Sequence, residues 1–193
     1  RAGDAEAPGE EFKPAKKSEI EKIKREYRVS NGYLLSVGTN PRKNTERIIK
    51  AFDRVRAGKD LKLLIAGRRE GETKVDRAIR YVGHVDDKKL AVLYSGAEAL
   101  VYPSLSEGFG LPILQAFACR TPVVTSNVSS MPEVAGDAAV LVDPEDTDSI
   151  IEGIEKALRR KKSLVKKGKS RVKKYSWKKT AEETLEVYEQ AAK

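Results

Sequence analysis

Four residue types are nearly missing from these 193 residues: one Cys, one His, one Met and one Trp occur in the whole chain. A lone thiol, Cys119, permits no internal disulfide, and it sits in an apolar helical segment that predicts a core position rather than a nucleophile. A lone histidine, His84, has no Cys or His partners from which to build a zinc site, and is read as a loop residue near a ligand. No run approaches the roughly 18 apolar residues of a membrane span, and the charged N-terminus lacks the apolar core of a signal peptide. The cytoplasm is therefore the expected compartment. No Gly-x-Gly-x-x-Gly follows the first apolar run, which argues against a dinucleotide-dependent oxidoreductase.

Acidic residues are absent from one long stretch. Between Arg159 and Lys179 there are 12 Lys or Arg and no Asp or Glu, while the remainder holds 26 basic against 29 acidic residues. The net charge of +9 thus belongs entirely to this stretch. A solvated helical face or an anionic membrane surface accounts for it. Nucleic acid is not expected, because aromatics are few and no recognisable nucleic-acid module is present.

What is present alternates regularly. Residues 1–16, rich in Ala, Gly, Pro and charge, read as a linker, and 17–193 as one domain ending in helices from about residue 160. Apolar runs at 33–37, 61–67, 81–85, 99–103, 122–125 and 138–142 predict strands. Helical patterns begin at Ser18, Thr45, Asp87, Gly110 and Thr147. Trp177, Ala181, Thr184, Leu185 and Tyr188 predict a packed face on the last helix. Continuously apolar strands alternating with helices define an α/β, Rossmann-like, doubly wound parallel sheet with helices on both faces. Ligands of such sheets lie beyond the carboxyl ends of the strands. The polar loops 38–44, 67–72, 83–86 and 103–110 should therefore converge there.

Two of these loops carry chemistry. Ser106-Glu107-Gly108-Phe109-Gly110-Leu111-Pro112 follows a strand and opens a helix, so free N–H groups and a positive helix end suit a phosphate. Glu107 would repel phosphate, and its presence points to a ligand that also carries hydroxyls, as a nucleotide-sugar does. Gly38-Thr39-Asn40-Pro41-Arg42-Lys43-Asn44 places a guanidinium fork and a mobile ammonium side by side, which suits a diphosphate. Other patterns are imitations. Gly168-Lys169-Ser170 lacks the earlier glycine and the strand of a phosphate loop, and Asp146-Thr147-Asp148 is expected to cap a helix.

Together these residues resemble the C-terminal, nucleotide-sugar-binding domain of the retaining glycosyltransferases of family 4, one half of a GT-B fold. Glu107-Gly108-Phe109-Gly110-Leu111-Pro112 is similar to the first half of the family's Glu-x7-Glu motif, and Gly38 to Asn44 to its Pro-Arg-Lys-Asn phosphate loop, common in mannosyltransferase-like members. Gly67, Gly83-His84-Val85, Thr121-Pro122-Val123 and Tyr175-Ser176-Trp177 sit where the family has similar elements. The resemblance implies that Arg42 and Lys43 bind the donor diphosphate and stabilise it as leaving group without a metal or other cofactor. It implies that Glu107 contacts hydroxyls of the transferred sugar. Gly108, Phe109, Gly110 and Leu111 would cradle phosphate and sugar through backbone, Gly38, Thr39, Asn40 and Gly67 would line the phosphate side, and His84 and Val85 would lie by the base. GDP-mannose is the leading candidate donor. An N-terminal acceptor-binding domain is implied as a partner, without which this chain should transfer little.

Two departures stand out. The motif's second glutamate is Gln115, which can meet ribose hydroxyls but without a charge. Thr39 stands where many members place arginine. A degenerate, non-catalytic nucleotide-sugar-binding or interaction module is the alternative reading.

Overall fold

The structure, a computed structural model, describes residues 8–68 and 76–192. Six strands form one parallel sheet: β1 (Gly32–Val37), β2 (Leu61–Ala66), β3 (Ile79–Gly83), β4 (Ala99–Tyr102), β5 (Val123–Ser126) and β6 (Val140–Val142). Their order is β3-β2-β1-β4-β5-β6. The chain winds outward from β1 to β3, returns to the middle at β4, and winds outward the other way. The change of direction lies between β1 and β4, where Leu34 pairs with Ala99 and Leu35 with Leu100. Among the described residues eight α-helices accompany the strands: α1 (Lys17–Glu26), α2 (Thr45–Val55), α3 (Asp87–Gly96), α4 (Leu111–Ala118), α5 (Met131–Ala135), α6 (Thr147–Arg159), α7 (Lys161–Val172) and α8 (Trp177–Ala191).

Alternation along the strands divides the core. Tyr33, Leu35, Leu64, Leu100, Tyr102 and Val123 pack with Leu93, Tyr94, Ile113, Leu114 and Phe117 on one face. Leu34, Leu63, Ile65, Val101 and Val124 pack with Ile48, Phe52, Ile150 and Ile154 on the other. The predicted doubly wound sheet is thus the observed one. Cys119 is buried, and burial pushes its thiol up to about 12, as befits a core residue.

Local chemistry fixes the helix ends. Asp86 accepts from the Lys89 N–H at 2.8 Å and starts α3, and Asp146 accepts from the Asp148 N–H at 2.9 Å and starts α6. The Asp146 carboxylate therefore serves as a cap. Gly168 lies inside α7, where an added Cβ would come within 2.7 Å of the Phe117 ring, so this glycine permits close helix packing. Of the segment expected to be a linker, residues 8–16 lie along the fold. Phe12 is buried edge-on to Tyr94 at 6.2 Å, and the Ala15 N–H donates to Ser95 Oγ at 3.0 Å.

Several boundaries differ from the sequence-based expectation. β3 begins at Ile79 rather than Tyr81, because at the sheet edge its polar residues Arg80 and Lys62 of β2 can reach solvent. α5, only five residues long, was not expected. The packed face predicted for α8 is corrected most clearly. Trp177, Leu185 and Tyr188 are 46%, 57% and 69% exposed, and α8 contains no buried residue. Its 3.6-residue periodicity is real, but no other described element covers that face.

Candidate functional site

The loops after β1 and β4 leave the sheet side by side at its reversal, the position where open α/β sheets bind ligands. Gly38 turns the chain out of β1 with φ +89°, and an added Cβ there would sit 2.8 Å from both Cγ and Cε of Lys43. The bare backbone thus lets the Lys43 side chain fold back over the strand end. A 3-10 turn at Pro41–Lys43 follows. Lys43 Nζ donates to Glu107 Oε1 at 2.7 Å and to the Tyr102 hydroxyl at 2.5 Å. The ammonium also lies 4.6 Å from the centre of the Tyr102 ring.

This ion pair is well enclosed, with side-chain exposures of 14% for Lys43 and 11% for Glu107. Burial pushes the Glu107 carboxyl up, but the Lys43 ammonium and the neighbouring Ser104 and Tyr102 hydroxyls outweigh it and hold the pKa below the ordinary value. The Ser104 hydroxyl lies beside that carboxylate, favouring its charged form although its Oγ completes no hydrogen bond of good geometry. Burial, reinforced by the Glu107 charge, raises the Tyr102 phenol. A neutral phenol, an ammonium and a carboxylate thus form the floor of the site.

Asn44 holds the first loop in place. Its backbone is left-handed at φ 61°, and its side chain is buried. Nδ2 donates to the carbonyls of Pro103 at 3.0 Å and Pro144 at 2.6 Å, and Oδ1 accepts from Arg47 at 3.1 Å. One amide therefore ties together the loops that leave β1, β4 and β6. The Leu105 N–H adds a bond to the Arg42 carbonyl at 2.8 Å.

Two hydroxyls hold the second loop. Ser129 Oγ donates to the Glu107 carbonyl at 2.7 Å and accepts from the Glu107 N–H at 3.2 Å, and Ser130 Oγ donates to the Phe109 carbonyl at 2.9 Å. Gly110, at φ +99°, turns the chain into α4 with Pro112 in its first turn. The N–H groups of Phe109, Gly110 and Leu111 donate to no other described residue, so the positive end of α4 is open beside Glu107. Phe109 is 43% exposed and stands edge-on to Tyr175 at 5.9 Å.

The structure thus unites Lys43, Glu107 and the 108–111 backbone. Arg42 is exposed on the same loop and makes no side-chain hydrogen bond to another described residue, so the two adjacent cations do not act as one fork here. Gly67 and Thr39 touch across the rim, an added Cβ on Gly67 meeting Thr39 Cγ2 at 2.9 Å, while Asn40 precedes the 3-10 turn. His84 is exposed and Val85 half-buried in the loop between β3 and α3. Gln115 is half-buried in α4, and its Oε1 accepts from the Tyr94 hydroxyl at 3.1 Å. Residues 69–72 of the expected loop 67–72 lie outside the described residues. Among the described residues no group of three or more His, Cys, Asp or Glu could hold a metal ion. Asn44, Tyr102, Ser129 and Ser130 were not singled out from sequence.

Residues 17–176 match the family model for glycosyl transferases group 1. O-antigen chain mannosyltransferase B of Escherichia coli is 35% identical over 195 residues, covering 92% of this chain and 51% of that protein. MMP alpha-(1->4)-mannosyltransferase of Mycolicibacterium hassiacum is 33% identical over 184 residues, covering 86% and 45%. Sucrose-phosphate synthase of Thermosynechococcus elongatus superposes with a TM-score of 0.78 at 25% identity, covering 95% of this chain and 51% of that one. Anabaena HepE, solved in complex with UDP and glucose, shares the fold at a TM-score of 0.77 and 14% identity, over 93% and 54%. The chain therefore spans about half the length of the relatives it matches. Its doubly wound sheet is one half of a GT-B architecture, and the chain belongs to the glycosyl transferases group 1 family.

Proposed function

We propose that this chain is the donor-binding half of a retaining family 4 glycosyltransferase that uses a nucleoside-diphosphate sugar, with GDP-mannose the leading donor. The observation that carries the reading is the enclosed Lys43–Glu107 pair beside the open N-terminus of α4. An ammonium and a helix end match a diphosphate, and a carboxylate matches sugar hydroxyls. Similarity to proteins named as mannosyltransferases supports the choice of sugar.

In this reading donor binding exchanges partners. Lys43 moves from Glu107 to the diphosphate, joined by Arg42 from the loop rim, and the two cations stabilise the departing nucleoside diphosphate electrostatically, a task assigned here to side chains rather than to a metal. Glu107, released from the ammonium, accepts from hydroxyls of the sugar. The N–H groups of Phe109 to Leu111 complete the phosphate cradle, Val85 meets the base, and Gln115 reaches a ribose hydroxyl after leaving Tyr94. An N-terminal acceptor domain completes the cleft, and the isolated chain transfers little sugar. The protein works in the cytoplasm, peripherally at an anionic membrane surface met by residues 159–179. The engagement of Gln115 by Tyr94 also favours a second reading, a module that binds nucleotide-sugar without transferring it.

Calorimetric titration with GDP, UDP, ADP and their sugar conjugates tests the proposal. One nucleotide class should bind, with Gln115→Glu raising its affinity about five-fold through a charge-assisted ribose contact. Failure of every nucleotide to bind, in this chain and in the two-domain protein, would sink it.

A further inference from the structure

At the end of α4 remote from Lys43 and Glu107 lies a second concavity. Residues 8–14 run past the α4–α7 pair and leave a cleft of about 500 Å³. Among the described residues Lys13, Arg120, Lys169 and Lys173 line it, with Glu10 as the one carboxylate, over a floor that includes Phe12, Phe117 and Val172. None of these four cations forms a salt bridge with another described residue. Elsewhere on α7, Lys161 pairs with Glu98 at 2.8 Å and Lys167 with Asp137 at 2.6 Å. The four cations of the cleft thus face one another with Glu10 as the carboxylate beside them and no salt bridge to another described residue.

The cleft is continuous with a longer stripe. Lys162, Lys166, Lys169 and Lys173 are exposed along α7 at helical spacing, over about 16 Å of helix. Lys174 and the half-exposed Trp177 follow at the α7–α8 junction. Lysines around a Trp are the composition of a surface that meets lipid headgroups. The apolar floor decides between polyanions. A nucleic-acid duplex keeps its bases stacked away from its phosphates and offers such a floor little to bury, whereas a phospholipid carries an apolar glyceryl-acyl continuation directly below its phosphate.

We propose that the cleft between residues 8–14 and the α4–α7 pair is a binding site for the phosphate headgroup of an anionic phospholipid. The inference rests on the membrane reading above and gives it a specific site. The phosphate is held by Arg120, Lys169 and Lys173, Lys13 closes it from the linker side, and the acyl-proximal carbons cover Phe12 and Val172. The remaining α7 lysines supply general attraction to the surface.

Vesicle co-sedimentation of the 193-residue chain tests this, using phosphatidylcholine alone and phosphatidylcholine with phosphatidylglycerol. Each cation near an anionic bilayer is worth about five-fold in partitioning. The variant R120Q/K169Q/K173Q is expected to lose roughly 100-fold or more on anionic vesicles. K162Q/K166Q/K174Q removes equal charge outside the cleft and should lose about ten-fold less. Equal losses would overturn the site while leaving the membrane reading intact, and no binding to anionic vesicles by the unaltered chain would overturn both. Soluble dihexanoyl-phosphatidylglycerol should bind saturably and about ten-fold tighter than inorganic phosphate, reflecting the apolar floor. Equal affinities would mean a free-phosphate site, and preference for a DNA duplex at the same salt would mean a nucleic-acid site; either result contradicts the proposal. Nucleotide affinity and the melting temperature, unchanged in both variants, separate these outcomes from a failure of the donor site or of folding.

Discussion

Lys43 reaches the site from a loop pinned by a buried amide, whereas Glu107 reaches it from a loop pinned by one exposed and one half-buried hydroxyl. Asn44 spends both its N–H groups on carbonyls of two other loops, in a place water does not enter. Ser129 and Ser130 hold the Glu107–Phe109 turn through bonds at the surface, where water can substitute for them. A bond that water can replace contributes little net stability, and a buried one is expensive to lose. The contrast teaches that the cation side of the site is part of the fold, while the carboxylate side can adjust when a ligand arrives. Such an arrangement suits a diphosphate, whose position must be fixed, and a sugar, whose hydroxyls must be followed.

Substitution of the two clamps tests this contrast most strongly. Asn44→Ala strands two buried carbonyls and leaves alanine in a left-handed conformation. It should cost about 3 kcal/mol in urea unfolding and abolish nucleotide binding with it. The double variant Ser129→Ala/Ser130→Ala should cost under about 1 kcal/mol, yet loosen the Glu107 turn enough to weaken sugar-conjugate binding more than nucleotide binding. Equal stability losses from the two clamps would break the comparison.

Tyr102→Phe sharpens it from within. The variant keeps the ring beneath Lys43 and removes the hydroxyl, so unfolding free energy should fall by about 1 kcal/mol. Nucleotide affinity should rise slightly, because Lys43 is then held away from the diphosphate by Glu107 alone. Unchanged stability and affinity would show that the phenol does not position the ammonium.

The carboxylate side also predicts a pH signature. The Glu107 pKa is depressed in the fold, so its stabilising contribution is complete above the unfolded carboxylate value, about 4.3, and is lost as pH falls through the lower folded value. The difference in melting temperature between the unaltered chain and Glu107→Gln should be constant from neutral pH to about 5 and shrink below about 4. A difference that grows toward acid would reverse the assigned sign. The smallest expected effect is at Cys119, whose buried, raised thiol should resist iodoacetamide in the folded chain and react only on unfolding.

Much of this architecture was legible because it depends on short-range pattern. An apolar run ending at Gly38, and another leading to Glu107 and Gly110, announce strand, turn and helix within a dozen residues each. Asn44 was not legible as a clamp, because its partners Pro103 and Pro144 lie 59 and 100 residues away. Phe12 was hidden in a segment whose composition is that of a linker, and packing against Tyr94 of α3 makes it a core residue. The α8 periodicity announced an apolar face truthfully but could not say that nothing else among the described residues covers it. Spacing shows which residues share a face; only the tertiary fold shows what that face meets.

The most direct test of the central claim is the affinity of Lys43→Ala for the nucleoside diphosphate that binds best. In the proposed reading, removing the ammonium takes away the charge presented to the diphosphate and leaves the Glu107 carboxylate there to repel it. The account predicts a loss of roughly 100-fold or more with the fold retained by circular dichroism. Affinity within a factor of about two of the unaltered chain would mean that the diphosphate does not lie at the Lys43–Glu107 pair, and would contradict the account.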